Sequence, residues 1–404
     1  MNRLVFHLVL GMPLVLASVA AGVTPATLVG PDLEPRTVML SSLRDGQLAV
    51  FDADRTLRTL GPGDYLQLRF DEKREGATLQ NAAEAPARTN NTAQSVPTTW
   101  LMLTDGRLLP GKLAGFEEDG QVIRWTHPAL IDEARINLDQ VAVLSFTGPV
   151  SADAQASEND RVTLVNGDVL VGFILALNAD GLELQIEGVD TTTKLPLDRL
   201  SLVRFANAKT QPPADQHIIT LADGTRLYAS ALTIESDTLA VTGLLPGRPQ
   251  LLQNLPLEKV RRIDFATAGL RLVELADQPW RTLSGGEVFG RPIPPRLRAG
   301  VLHLHAPVSL AFALPGGTRR FAARAALDLE GVSASAAAWA DLELIVRQGG
   351  REIARHHLTA ENPAATLNLP TGPGELVIEL DTAANGPILD RLRLSDAVIL
   401  IGTN

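Results

Sequence analysis

Three stretches of the chain repeat one another, and this recurrence constrains the fold more than any other feature. WLMLTDGRLLPGKLAGFEEDG (100–120), VTLVNGDVLVGFILALNADG (162–181) and IITLADGTRLYASALTIESD (218–237) share one layout. Each opens with an alternating apolar run that breaks at Asp105-Gly106, Asn166-Gly167 or Asp223-Gly224. Asp-Gly and Asn-Gly between alternating runs are hairpin signals, because both residues tolerate the left-handed backbone that tight turns need. A second run leads to another acidic turn. Each copy then closes on INLDQVAVLSF, LPLDRLSLVRF or LPLEKVRRIDF, with an acid seven residues before the last Phe: Asp139 and Phe146, Asp198 and Phe205, Glu258 and Phe265. A degenerate copy precedes them, since Asp45-Gly46 stands as far before Phe70 as Gly181 does before Phe205. Four all-β units of about 50 residues follow from this period.

The joins 76–97, 148–160 and 207–216 are rich in Ala, Pro, Asn, Gln and Ser and lack apolar periodicity. Such segments read as linkers, so separately packed units acting as a spacer are expected. Gly111 and Gly172 lie inside the long second strands, where glycine relieves a bend; the last copy has Ala229-Ser230 there. The unit resembles small Sm-like or SH3-like barrels. Binding of RNA in that family needs basic and aromatic groups on the loops. Thr104, Asp105, Asn166, Asp168 and Asp223 stand there instead, and the chain carries 36 basic residues against 46 acidic ones, a net charge of −10. Nucleic acid is therefore an unfavoured partner.

The first 22 residues, MNRLVFHLVLGMPLVLASVAAG, place Arg3 before an apolar stretch that ends in small residues. That is the layout of a secretory signal peptide, with cleavage after Ala20 or Gly22. An exported protein is expected, in the periplasm, at the cell surface or outside the cell, with no stable membrane span once the segment is gone. The absence of cysteine removes disulfides, thiolate metal sites and cysteine nucleophiles.

From Gly269 onward the pattern changes to short strands at 301–305, 308–314, 318–327, 341–347, 351–357, 364–369, 374–381 and 397–401, separated by Gly-Gly, Gly-Pro and Asn-Gly turns. Eight such strands in this length imply a β-sandwich or jelly roll. Val301–Ala306, Phe321–Asp328, Leu344–Arg351, Asn385-Gly386, Asp390-Arg391 and Ser395–Leu400 resemble, in order, the elements of the NPCBM modules described alongside glycoside hydrolase family 98. The resemblance implies a galactose-binding-like sandwich and glycan recognition. It departs at Leu394, where the family has an aromatic, and at Asp328-Leu329-Glu330, where its acid is diluted.

The expected organisation is thus a signal peptide (1–22), a degenerate barrel (25–75), three Sm-like barrels (98–148, 160–207, 216–268) and an NPCBM-like sandwich (269–404). Sugar sites pair an aromatic face with hydrogen-bonding groups. Phe312, Phe321 and Trp339 are read as core, and Trp280 is the aromatic that strand alternation explains least. Trp280 and, from the resemblance, His305, Asn385, Asp390 and Arg391 are the candidate carbohydrate-binding residues. His303 and His305 share a strand face but have no third ligand beside them, and no catalytic motif or cofactor fingerprint is present. A non-catalytic, cofactor-free glycan binder is expected; the alternative is a structural or protein-binding component of the cell envelope. N-terminal sequencing of protein recovered outside the cytoplasm should begin at Ala21 or Val23, and an intact Met1 on a cytosolic species would contradict the export assignment.

Overall fold

The computed structural model describes residues 23–70, 99–117, 120–127, 130, 132–148, 158–189, 191–208, 210, 215–242, 254–267, 269–288, 290–298 and 300–402. The signal segment, the linker 76–97 and the middles of the other two linkers lie outside these.

The described chain is all-β. Unit one comprises β1 (Thr24–Val29), β2 (Pro35–Arg44), β3 (Gln47–Phe51), β4 (Leu57–Leu60) and β5 (Gln67–Arg69). Unit two comprises β6 (Thr99–Leu103), β7 (Leu108–Glu117), β8 (Val122–Thr126), β9 (Ala134–Asn137) and β10 (Val141–Ser145). Unit three comprises β11 (Asp160–Leu164), β12 (Val169–Asn178), β13 (Gly181–Ile186), β14 (Thr192–Leu195) and β15 (Leu200–Arg204). Unit four comprises β16 (His217–Leu221), β17 (Arg226–Ala229), β18 (Ala231–Glu235), β19 (Thr238–Thr242), β20 (Leu255–Pro256) and β21 (Val260–Asp264). In each unit the last strand pairs back on the first, and the first, second, third and fourth follow in antiparallel order. In unit four the long second strand is broken at Ser230 into β17 and β18, the place where the repeat lacks its glycine.

The repeated acids have a common setting. Asp139, Asp198 and Glu258 each lie in the first turn of a single 3-10 turn that leads into the closing strand. An acid is favoured there by the unpaired N–H groups of the turn. The glycines of β7 and β12 differ in role from the bend relief expected of them. A Cβ on Gly111 would lie 2.2 Å from the Thr126 carbonyl oxygen, and one on Gly172 would lie 2.1 Å from that of Gln185. Glycine admits the neighbouring strand, and the register shift that bends the strand comes later, at Leu113/Gly115 and Ile174/Ala176.

The expectation of separately packed units gives way to one fused body. β10 pairs with β15, and β5 with β21. The repeated Phe completes both seams reciprocally: Phe146 N–H donates to Ser201 O and Phe205 N–H to Ala142 O, while Phe70 N–H donates to Arg261 O and Phe265 N–H to Leu66 O. Units two and four meet at their first turns. Tyr228 donates its hydroxyl to Asp105 O at 2.6 Å, and the Arg107 guanidinium lies over the Tyr228 ring. His127 is buried in the same seam, 3.0 Å from Thr225 Oγ1, and burial pushes its imidazole down to about 4, so it is neutral. One hydrophobic cluster runs through all four units, from Ala26 to Phe265.

The C-terminal part is a sandwich of β22 (Leu270–Glu274), β23 (Trp280–Gly285), β24 (Glu287–Val288), β25 (Arg291–Pro292), β26 (Arg296–Arg298), β27 (Val301–His305), β28 (Val308–Leu314), β29 (Thr318–Leu327), β30 (Asp341–Gln348), β31 (Arg351–Thr359), β32 (Ala364–Pro370), β33 (Gly374–Thr382) and β34 (Arg391–Gly402), with the short helix α1 (Ala334–Ala337) before β30. One sheet runs β26-β27-β34-β29-β32, with β22 also on β34; the other runs β23-β28-β33-β30-β31. Phe312, Phe321, Leu342, Leu376 and Ile399 fill the space between them. The outer side of the first sheet then packs on unit one, where Ala322, Val398 and Leu400 meet Val29, Leu33 and Leu66.

An ionic cluster reinforces this dock. Glu274 pairs with Arg226 and Arg262, Arg226 also with Asp277 at 3.1 Å, and Arg262 with Asp264 at 2.8 Å. Burial pushes the Glu274 carboxyl up, but Arg262 and Arg226 outweigh it and hold the group below its ordinary range. Removing one member of a desolvated cluster leaves its partners uncompensated. Glu274→Ala should therefore cost ~2–4 kcal/mol in thermal or urea unfolding. Arg281→Ala, which breaks an exposed pair with Glu375, should cost under ~1 kcal/mol. Equal effects would show that the cluster contributes no more than a surface pair.

Candidate functional site

Strand β34 begins beside a bend in which Leu389 holds φ 62°, a backbone that places the Asp390 side chain inside the sandwich. Asp390 is fully buried. Its Oδ1 accepts from Asp341 N–H at 2.9 Å, and its backbone carbonyl accepts from Ala306 N–H at 2.9 Å. Asp341 in turn holds the loop 383–390. Its carbonyl accepts from Ala383 N–H, and its Oδ2 accepts from Ala384 N–H at 3.1 Å. The other oxygen, Oδ1, meets His357 Nε2. Two carboxylates and one imidazole thus clamp four chain segments at one end of the sandwich.

The electrostatics of the clamp follow from burial. Loss of water pushes the Asp390 carboxyl up to about 6; the bond from Asp341 N–H opposes this, and the nearby Asp341 charge adds to it. Oδ2 of Asp390 has no hydrogen-bond partner among the described residues, which a protonated oxygen tolerates better than an ionised one.

The remaining candidates fall into two places. His305 stands opposite Arg391 across β27 and β34, and its Nδ1–H donates to Ala306 O at 2.8 Å. Asn385 lies in the turn of the loop 383–390 that Asp341 holds. His305, Asn385, Asp390 and Arg391 are therefore gathered at one end. Trp280 is not with them. It stands opposite Phe312 on the other sheet, with ring centroids 6.3 Å apart, and lines a small apolar hollow with Leu275, Leu297, Leu302 and Leu394. Leu302 and its partner Leu394 lie three residues along β27 and β34 from His305 and Arg391.

A different aromatic occupies the clamped end. Trp339, expected in the core, is 54% exposed. It follows α1, which Ser333 caps through its hydroxyl, and its N–H donates to Ala336 O. Asp341, two residues on, is the residue that ties this segment to the loop 383–390. Ile388 on that loop is also exposed. Strand alternation could not have found Trp339, because the residue precedes its strand. The signal available was the Ser-Ala-Ser-Ala-Ala-Ala run before it, a helix-forming stretch that sets the indole on a loop. His303 lies 3.9 Å from Asp328, and no group of three or more His, Asp or Glu arranged for a metal occurs among the described residues.

Several solved structures are similar to parts of this chain. CBM51 from Clostridium perfringens GH95, in complex with methyl-galactose, is 15% identical, with a TM-score of 0.25 over 32% of this chain and 99% of that one. The tandem CBM51 modules of the family 98 glycoside hydrolase from Streptococcus pneumoniae are 11% identical, with a TM-score of 0.25 over 94% and 96%. CBM51-2 in complex with GlcNAc, with the INT domains of Clostridium perfringens ZmpB, is 13% identical, with a TM-score of 0.27 over 46% of this chain and 43% of that one. With every score far below 0.5, the fold rests on the sheets described above and nothing about a ligand is taken from these structures. No protein-family model matches the chain, and no curated protein does. The NPCBM and Sm-like resemblances accordingly stand on their motifs alone.

The clamp makes a prediction about pH. The unfolded Asp390 carboxyl releases its proton near 3.8 and the native one at about 6. Between these values the folded chain binds more protons, so this group's contribution to stability falls as pH rises through the window. Urea midpoints at pH 4, 5 and 7 should show Asp390→Asn gaining on the parent as pH rises, by ~1–3 kcal/mol across the window. A constant difference at all three values would place the native pKa back at its ordinary value.

Proposed function

We propose that the protein binds glycan at the clamped end of its sandwich, with the Trp339 indole as the stacking platform and Arg391, His305 and Asn385 as hydrogen-bonding partners. The observation that carries this is the pairing of a half-exposed indole with a loop held by buried polar groups. A pyranose ring buries its apolar face on an aromatic ring while its hydroxyls need fixed donors and acceptors. Asp390 and Asp341 act one layer below, as positioning residues, because a site loses affinity when its loops must be ordered on binding. Trp280 has no part in this reading, since its ring is packed against the core.

The reading extends to an exported, non-catalytic protein in which four Sm-like units carry an NPCBM-like sandwich. Export is supported by the composition of 1–22, and a non-catalytic role by the absence of a recognisable catalytic motif from the sequence. The test uses the full chain on a glycan array, followed by calorimetric titration with the glycan that binds best. Trp339→Ala should weaken binding about 10- to 100-fold, ~1–3 kcal/mol. Trp280→Ala should leave affinity within a few-fold but lower the unfolding temperature, as a core aromatic does. Unchanged affinity in Trp339→Ala would move the site elsewhere. A parent that binds no glycan would leave the alternative, a structural or protein-binding role in the envelope.

A further inference from the structure

We propose that the outer face of unit three is a self-association surface, on which a second copy of this chain docks through the same face about a twofold axis. Strand β12 presents Val169, Val171, Phe173 and Leu175 outward in strict alternation, while Leu170, Gly172 and Ile174 face the core. Val169 and Phe173 are each 55% exposed and Leu175 51%, with Val165 and Val189 beside them. These five are half of the large exposed apolar residues among the described part of the chain. An exposed apolar strip of this kind on one sheet face, crossed here by the bond from Asn159 Nδ2 to Glu187 Oε2, marks an interaction surface.

The rest of the molecule indicates the occupant. At the corresponding end of units two and four, each first turn is covered by a strand side chain of the other unit: a Cβ on Gly106 would lie 3.4 Å from the Tyr228 hydroxyl, and one on Gly224 would lie 3.2 Å from the Trp100 ring. In unit one the first turn is covered by the sandwich, through Leu33 and a bond from Asn368 to Asp32 O. In unit three, Gly167 has the same left-handed backbone, φ +91°, and no described atom within 4 Å of where its Cβ would be. Three copies of the module spend this surface on one another or on the sandwich, and the fourth has it open. The modules already pair reciprocally with their own kind, as the two Phe seams show.

Charge supports a twofold. Arg161 pairs across the ladder with Val171 on one side, and Glu187 N–H donates to Val171 O on the other. Both side chains are exposed and level with the middle of the strip. A twofold axis parallel to β12, with two copies face to face, sets Arg161 of each opposite Glu187 of the other, whose carboxylate also accepts from Asn159 Nδ2 of its own chain at 3.1 Å.

Sedimentation velocity of the full chain between 1 and 100 µM tests this. A reversible dimer is expected, with Phe173→Lys and Val169→Lys each raising its dissociation constant at least tenfold and leaving the unfolding temperature unchanged, since both side chains already face water. Arg161→Glu should weaken the dimer at least tenfold, and Arg161→Glu with Glu187→Lys should restore it to within about threefold. A parent monomeric at 100 µM overturns the proposal, including the case where the chain's own segment 71–98 covers the strip. A dimer indifferent to Phe173→Lys places the interface elsewhere, and a double swap that fails to restore affinity overturns the twofold.

Discussion

The structure hinges on a polar cluster at a place where three bodies meet. Gln67 comes from unit one, Arg226, Arg262 and Asp264 from unit four, and Glu274 and Asp277 from the strand and turn that open the sandwich. Burying this much charge costs several kcal/mol per ion before pairing offsets it, so the cluster is a weak source of net stability. Its effect is on geometry. An apolar patch such as Val29, Leu33, Leu272 and Leu400 tolerates sliding, whereas an arginine between two carboxylates has one arrangement that leaves no charge unpaired. The hydrophobic contact holds the sandwich to the units and the ionic cluster sets its angle.

How far the chain's architecture was legible depended on the range of the interaction. Turns at Asp105-Gly106, Asn166-Gly167 and Asp223-Gly224 separate strands as their sequence demands, because the left-handed backbone of the glycine is a local requirement. The strands of the sandwich from Val301 to Thr382 end within two residues of the expected limits, because alternation is also local. Pairing between units was not legible. Nothing in VAVLS or LSLVR says that the free edge of one meets the other, and the repeated Phe, visible in every copy, disclosed its role only when Phe146 and Phe205 were seen to close one seam from both sides. Linker composition then misled, since a polar connection between two modules says nothing about whether their edges complement one another.

The candidate site shows the same limit from the other side. His305, Asp390 and Arg391 came from strand and loop motifs and fall together because β27 and β34 are neighbours. Trp280 packs against the core and Trp339 is exposed, the reverse of what strand alternation suggests. Trp280 looked unexplained because its strand is short and its surroundings are rich in turns, yet it lies on Phe312 and closes one edge of the core. Trp339 is expected in the core, yet it lies outside the strand that begins at Asp341, and the four-residue helix before it turns the indole outward. Whether an aromatic next to a strand faces core or water is decided by one or two residues of boundary, which is the least determined quantity in any sequence pattern.

Strand β34 connects the two halves of this reasoning. At its C-terminal end, Val398 and Leu400 pack on unit one; at its N-terminal end, Asp390 and Arg391 sit under the clamped loops. The ten residues from one end to the other span about 30 Å at about 3.3 Å each. The strand is hydrogen-bonded along that length to β27, β29 and β22, so it transmits orientation as a stiff element. The loop end of the sandwich therefore points in a direction fixed by the repeat units. A sandwich on a flexible tether samples all orientations and pays that entropy on every binding event, whereas this one has already lost it on folding. On the proposed reading, fusing the units into one body makes them a mount that aims the site, which is a different physical task from the spacing that their linkers suggested.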